Sequence, residues 1–328
     1  MSLIIKSIFH TYTVDFTNLL PIVTDKDVLV IDRNVLNLYK NKYKMCKYVF
    51  EIEAREDHKN MITVLKLVDY LMDIGFTKKY TLHVVGGGIT QDISSMCAAL
   101  FKRGIDWVFT PTTLLSMCDS CIGSKMGINH KDSKNQLGTF YPPKRVIIDT
   151  NFLETLEEKD IHSGIGEILK LYALDDIPWK IDNFEDALKR CLEIKKKVIE
   201  EDELEKTIRP CLNYGHTFGH VFESMSNFKI PHGVAVLIGM YVIDRYFEKD
   251  MIKYGPYMHI IREYSKNLNI DHELILRHLK ADKKVLADEI TLINCREFIK
   301  VKLDEILVKD IVTIVSNELI PRSGCNTY

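Results

Sequence analysis

The stretch Tyr80-Thr-Leu-His-Val-Val-Gly-Gly-Gly-Ile-Thr-Gln-Asp92 runs from a β-favouring segment straight into three consecutive glycines. A short apolar, β-branched run that ends at a glycine turn reads as a buried strand feeding a helix. Glycines at 86, 87 and 88 permit a tight turn and let backbone N–H groups approach an anion at the next helix N-terminus. The spacing is not GxGxxG, so the triplet alone leaves an ordinary loop and a phosphate cradle equally open. Asp92, four residues beyond the last glycine, suits a helix cap or a ligand to a ribose or amide.

Upstream, Asp27-Val-Leu-Val-Ile-Asp32 is another apolar run, bounded by acids, and reads as a buried parallel strand. Residues 59–74 place Met61, Val64, Leu65, Val68, Leu71 and Met72 on one helical face, and Gly75 stops the run. Downstream come a helical stretch over 89–102, then Trp107-Val-Phe-Thr-Pro111 and Arg145-Val-Ile-Ile-Asp149. Strand, glycine turn, helix and strand at this spacing predict βαβ units and a parallel, Rossmann-like sheet. From about residue 155 the pattern becomes helical, in EEKDIHSGIGEILKLYAL and EDALKRCLEIKKKVIEEDELEKTI. The fold class is therefore α/β, with an α/β domain over 1–154 and a mostly α-helical domain over 155–328. No internal repeat or low-complexity tract interrupts either.

A chain of 328 residues suits two domains of ordinary size. Lys+Arg 44 against Asp+Glu 46 leaves a net charge of −2, which excludes a wholly basic surface for nucleic acid. The composition, 46% hydrophobic and 27% charged, is that of a globular protein able to bury a core without disulfides or a structural metal. Its eight cysteines show no framework of short spacings, which favours reduced thiols and a cytoplasmic protein. The start, MSLIIKSIFHTYTVDF, lacks a cleavable leader pattern, and no apolar run reaches membrane-spanning length.

Four groups of residues carry chemical potential. In Leu212-Asn-Tyr-Gly-His216-Thr-Phe-Gly-His220 two histidines at i and i+4 share a helix face, with glycines clearing space beside them. With His232, in Ile230-Pro-His-Gly233, and Glu167, in Gly164-Ile-Gly-Glu167, this histidine-rich cluster fits a two-histidine, one-carboxylate site that leaves positions open for substrate, as a catalytic zinc requires. Spacing alone leaves equally open that each histidine is a separate cap or core residue. Cys118-Asp-Ser-Cys121 is a lone CxxC without a second pair or a thioredoxin-like context, so its sulfurs are not expected to act. The cations Arg103, Lys125, Lys134, Lys170, Arg209, Lys283 and Lys284 sit among small or polar residues and suit an anionic substrate. Lys195, in Lys195-Lys196-Lys197, reads by itself as part of a solvated helix face.

The collinear series GGGITQD, KRG, PTTLL, DSCIGSKMGINHKDSKNQLGTFYPP, GIGEILK, LNYGHTFGH, PHGVAVLIGM and DKKVLA resembles 3-dehydroquinate synthase and its sugar-phosphate cyclase relatives, from about residue 56 to 287. The resemblance implies a dehydroquinate synthase-like fold, with NAD in the α/β half and metal and substrate beside the helical half. It implies that Glu167, His216 and His232 ligate a metal, zinc or cobalt. The NAD-contacting set it implies is Glu56, Lys59, Gly87, Gly88, Asp92, Thr112, Thr113 and Asp119. For the substrate it implies Arg103, Lys125, Lys134, Asn135, Lys170, Lys195, Arg209, Asn213, His220 and Lys283 or Lys284, with Lys134, Asn135, Arg209 and His220 around the phosphate. Lys195 joins this set through the resemblance alone. The implied partner is a small anionic sugar phosphate, and the implied assembly is a homodimer.

The implied reaction converts a seven-carbon 2-keto-3-deoxy acid phosphate to 3-dehydroquinate in aromatic biosynthesis. Transient oxidation of a ring hydroxyl acidifies the neighbouring C–H, phosphate leaves, the ketone is reduced again and the opened enol closes as an aldol. Two alternatives stand beside it: another sugar-phosphate cyclase, making 2-deoxy-scyllo-inosose or a valiolone, and an NAD- and metal-dependent alcohol dehydrogenase. The chain departs from the family pattern with Ser124 where GGK is usual, Met126 for a threonine, Gln91 for a glycine, and Cys118 and Cys121 at polar or small positions. These departures lie on the nicotinamide side and bear on substrate preference.

Overall fold

The apolar runs become strands of one seven-stranded sheet. The computed structural model describes residues 2–18, 24–44, 46–131, 133–266, 268–280, 285–286 and 288–320. The chain divides into two compact units, Met1–Leu156 with Phe184–Leu204, and Glu157–Asn183 with Glu205–Tyr328.

The first unit contains β1 (Ser2–Lys6), β2 (Thr11–Phe16), β3 (Val28–Asp32), β4 (Tyr48–Ile52), β5 (Leu82–Gly86), β6 (Trp107–Pro111), β7 (Lys125–His130), β8 (Ser133–Phe140) and β9 (Arg145–Ile148). Its helices are α1 (Arg33–Leu38), α2 (Met61–Asp73) and α3 (Gly88–Leu100); α4 (Glu158–Leu174) belongs to the other unit, and α5 (Phe184–Glu201) returns to this one. The sheet order is β1-β2-β9-β6-β5-β3-β4, with only β1 and β2 antiparallel. β7 and β8 pair separately as an antiparallel hairpin. Every residue of β3 and of β5 is buried, as continuous apolar runs in a doubly covered parallel sheet require. Val84 of β5 stands between Val30 of β3 and Phe109 of β6. From β3 the chain passes to β4 on one side, then crosses to β5 on the other. The carboxyl ends of β3 and β5 therefore mark the switch point at which open α/β sheets bind ligands, and the glycine triplet occupies it.

His83 is a polar interruption in β5, 5% exposed. Its Nε2 lies 3.6 Å from Asp27 Oδ2, and its Nδ1 has no hydrogen-bond partner. Burial pushes the imidazole below its ordinary pKa, against the pull of Asp27. Asp27 in turn accepts from Thr81 N at 2.7 Å and from Thr24 N and Oγ1.

Two helices differ from expectation. The buried face of α2 is Val64, Leu67 and Leu71, whereas Leu65 and Met72 are exposed. The segment has two apolar stripes one residue apart, and periodicity alone does not say which one meets the sheet. A Schellman pair ends α2, Phe76 N to Leu71 O and Gly75 N to Met72 O, with Gly75 at φ +67°. α5 was expected among the helices of 155–328; it instead packs on β1 and on the π-helical turn Ser116–Ser120 of the first unit. Its apolar stripe includes Leu188, Cys191, Leu192 and Val198. Amphipathicity shows that a helix buries one face but not which element covers it.

The second unit comprises α4, α6 (His216–Met225), α7 (His232–Tyr246), α8 (Met258–Ser265), α9 (His272–Lys280), α10 (Glu305–Ile314) and a small antiparallel sheet. Glycines set close helix crossings in it: a Cβ on Gly166 of α4 would run into the Gly233 carbonyl of α7. A Cβ on Gly239 of α7 would likewise meet the Gly215 carbonyl at the start of α6. The sheet, β10 (Val285–Leu286), β11 (Glu289–Asn294) and β12 (Glu297–Lys302), is an addition to the helical expectation. Its β11–β12 turn is Cys295-Arg296, with Cys295 at φ +52°, so the usual Asn-Gly or Asp-Gly signal is missing. Among the described residues, no helix is long and apolar enough to cross a membrane.

Candidate active site

In the first unit, Gly87 caps α3 without a side chain, leaving the first backbone N–H groups of the helix to meet an anion. Both flanking positions exclude a side chain: a Cβ on Gly86 would meet Thr90, and one on Gly87 would meet Thr113. Thr112 donates its backbone N–H to Gly86 O at 3.0 Å, and the Thr113 hydroxyl lies 2.8 Å from Ser116 Oγ. The threonines, the glycine turn and the π-helical turn are thus one linked element.

Beside it lies a charge network. Lys59 Nζ reaches Asp92 Oδ2 at 3.1 Å, Asn135 Oδ1 at 2.8 Å and Glu56 Oε1 at 3.8 Å. Lys134 Nζ also lies 3.8 Å from Glu56 Oε1, and Asp92 Oδ1 accepts from Gly127 N at 3.2 Å. Burial pushes the Asp92 carboxyl above its ordinary value in spite of Lys59. Residues expected to touch NAD (Glu56, Lys59, Asp92) and residues expected to touch substrate (Lys134, Asn135) therefore meet in one cluster. Asn135 holds φ +51°, which asparagine tolerates better than most side chains.

α5 brings Lys195 to Asp119, where its ammonium contacts the carboxylate and lies 2.6 Å from the backbone carbonyl. Gln91 bonds Ser120 twice, through Nε2 to the carbonyl at 2.7 Å and through Oε1 to the hydroxyl at 2.6 Å. The departure at 91 thereby ties α3 to the π-helical turn. Lys125 is exposed at the start of β7, and Arg103 is exposed after the short turn Phe101–Arg103, at φ +62°. Cys118 and Cys121 are both buried free thiols, and burial pushes Cys121 up to about 12.

In the second unit, Glu167 is 2% exposed and its Oε1 lies 3.7 Å from His216 Nε2 and 3.4 Å from His232 Nε2. His220 joins them: a ring nitrogen from each of His216, His220 and His232 lies within 4.8 Å of the others. Lys170 Nζ sits 2.5 Å from the other oxygen of Glu167. The remaining ring nitrogens are oriented from behind, His216 Nδ1 by Tyr214 O at 3.3 Å and His232 Nδ1 by Glu223 Oε2 at 3.3 Å. Burial would lower the His232 pKa, but hydrogen bonds to Glu167 and Glu223 outweigh it and raise it to about 10. That same negative potential, with imidazoles turned by hydrogen bonds toward a shared carboxylate, fits a divalent cation. Arg209 is buried in the turn Arg209–Asn213, and Asn213 Nδ2 donates to Glu205 Oε1 at 3.2 Å. Lys283 and Lys284 lie outside the described residues.

Two residues absent from the expected sets take positions here. Glu223 follows His216 and His220 at i+7 on α6, so HxxxHxxE was the signal that would have found it. Glu203 accepts from Ser124 in the first unit, and no spacing in the sequence links the two.

Residues 49–163 match the description of the 3-dehydroquinate synthase N-terminal domain, and residues 144–285 that of its C-terminal domain. A 3-dehydroquinate synthase of a Nitratiruptor species is 33% identical over 319 residues, covering 90% of this chain and 91% of the relative. Among solved structures, a 2-deoxy-scyllo-inosose synthase complexed with carbaglucose-6-phosphate, NAD+ and Co2+ superposes with a TM-score of 0.79 at 21% identity, covering 95% of this chain and 99% of that one. A 2-epi-5-epi-valiolone synthase from Streptomyces hygroscopicus subsp. jinggangensis, with NAD+ and Zn2+ bound, gives 0.79 at 23% identity over 93% and 96% of the two chains. These likenesses show the fold, and the sequence matches carry the assignment further: the chain belongs to the 3-dehydroquinate synthase family.

Proposed function

We propose that this chain is a 3-dehydroquinate synthase, a phosphate-eliminating carbon–oxygen lyase that cyclises the seven-carbon 2-keto-3-deoxy acid phosphate to 3-dehydroquinate. The choice of this substrate over those of the other cyclases is carried by the 33% identity to a 3-dehydroquinate synthase, against 21% and 23% to the two cyclases. Bound NAD would supply a reversible hydride acceptor, and a bound divalent metal, zinc or cobalt, a Lewis acid.

Glu167, His216 and His232 would hold the metal, their orientation fixed by Tyr214 O and Glu223. The bare N-terminus of α3, with Gly87 and Gly88, would take the cofactor's pyrophosphate. Thr112, Thr113, Asp119, Asp92, Glu56 and Lys59 would serve the rest of the cofactor. Lys134, Asn135, Arg209 and His220 are assigned to the substrate phosphate; their positive and polar groups would stabilise it as its leaving bond breaks. Arg103, Lys125, Lys195, Asn213 and Lys170, with Lys283 or Lys284, are assigned to the carboxylate, hydroxyls and proton handling. Phosphate leaving as its own proton acceptor would keep the number of dedicated bases small. The same reading places the protein in the cytoplasm as a homodimer serving the shikimate route to aromatic amino acids.

The test is phosphate release and 3-dehydroquinate formation by metal-loaded protein with NAD, with glucose 6-phosphate and sedoheptulose 7-phosphate alongside. Turnover of the seven-carbon acid alone, abolished by EDTA, is expected. Turnover of another sugar phosphate instead would reassign the substrate, and net NADH formation from a simple alcohol would reassign the reaction.

A further inference from the structure

Ser124 stands at φ +63° immediately after Gly123 at φ +100°, in the turn that delivers the chain to Lys125. A side chain in the left-handed region costs about 1–2 kcal/mol relative to glycine, so a serine held there needs an interaction that favours it. Its hydroxyl donates to Oε1 of Glu203, a carboxylate only 5% exposed.

Glu203 is anchored on its other side. Oε1 also accepts from Ser7 Oγ at 2.8 Å, and Oε2 accepts from Ile8 N at 2.8 Å, in the connection between β1 and β2. Three further holds on the turn are made through its backbone and do not select serine. Tyr141 N donates to Ser124 O at 2.8 Å, Lys125 N to Gly123 O at 2.6 Å, and Gly123 N to the Tyr12 hydroxyl at 3.3 Å. A side-chain tether on this turn thus runs from Ser124 to the residues just past α5, whose Lys195 grips Asp119 five positions earlier in the same segment.

We propose that Glu203 is a positioning residue for Lys125, acting through the Ser124 hydroxyl to fix the direction in which the exposed lysine leaves the turn. The inference rests on the assignment of Lys125 to the substrate. It makes the path of the 119–125 segment depend on a carboxylate about eighty residues later in the chain.

Two readouts test it on the full-length, metal-loaded protein with NAD. Ser124→Gly keeps the positive φ and removes the tether. It should raise KM for the phosphorylated substrate about five- to tenfold with kcat within about twofold. Amide hydrogen exchange over 122–126 should quicken about tenfold, with Tm within about 2 °C of wild type. Ser7→Ala, which removes a Glu203 contact that does not touch the turn, should leave both KM and exchange unchanged. Unchanged KM in Ser124→Gly overturns the proposal, as does unchanged exchange or an equal rise in KM in Ser7→Ala. A wild type inactive on the seven-carbon acid would refute the function reading instead; KM would then be read on whichever sugar phosphate turns over, and the exchange measurement decides the tether regardless.

Discussion

Glu223 Oε2 lies 3.3 Å from Nδ1 of His232, on the side of the ring away from the Nε2 that faces Glu167. A carboxylate behind a ligating imidazole fixes its tautomer and raises its basicity, and loss of such a partner costs about 10–100-fold in metal affinity. Glu223→Ala should weaken metal binding by about that factor, as read by competition with a chromogenic chelator. Glu223→Gln, which keeps an oxygen acceptor, should lose less. Equal affinity in all three proteins would remove Glu223 from the site.

His216, His220 and His232 converge, yet the proposed roles differ. Metal analysis of purified variants should find His216→Ala and His232→Ala depleted, with activity lost in proportion. His220→Ala should retain metal while phosphate release falls about 10²-fold or more, as for the loss of a general acid or base. If His220→Ala is also metal-free, His220 is a ligand.

Gly166 tolerates no Cβ because the Gly233 carbonyl occupies that space. Gly166→Ala must push α4 from α7, separating Glu167 from His232. Overpacking of this kind costs about 1–3 kcal/mol. A Tm lower by about 2–5 °C is expected, with weakened metal binding; a variant matching wild type in both would show that the crossing yields to the added methyl.

His83 gives a pH dependence of stability. Its folded pKa is depressed by burial, so on acidification the unfolded chain takes up this proton first. Stability therefore falls as pH drops from the ordinary imidazole value of 6.5 toward the folded pKa, and is unaffected by His83 above that window. Urea titrations of wild type and His83→Leu at a series of pH values should show this slope in wild type and its reduction in the variant. Asp27, held below its ordinary value by hydrogen bonds that outweigh burial, acts only in stronger acid.

The buried CxxC should be chemically silent. Under native conditions a thiol reagent should modify Cys46 and Cys295, the two described cysteines that are not fully buried, well before Cys118 or Cys121. Rapid native modification of Cys121 would contradict its raised pKa.

The strand and glycine turn over 80–92 were legible because the buried strand is apolar apart from His83 and the turn leaves no room for a side chain at Gly86 or Gly87. The histidine pair on α6 was legible for a similar reason, since i and i+4 fix one face. What the sequence left open depends on partners rather than on period. The two stripes of α2 are equally helical, and only the sheet distinguishes Leu67 from Leu65. The β11–β12 hairpin turns through Cys295 at a positive φ, where local preference points elsewhere. Lys195 looked solvated because its neighbours Lys196 and Lys197 do, while helical geometry turns it alone inward to 5% exposure.

The first unit is assembled from two separated pieces of chain, 1–156 and 184–204. During synthesis the sheet emerges without the helix that covers β1 and the π-helical turn, and without Lys195 or Glu203. At ordinary translation rates this lasts several seconds, followed by the further time needed to clear the ribosome. Throughout that interval the nascent sheet offers an uncovered apolar flank to chaperones and proteases. A gene cut at residue 156 would make that vulnerable state permanent, so separate expression of the first unit requires residues 184–204 to be grafted back.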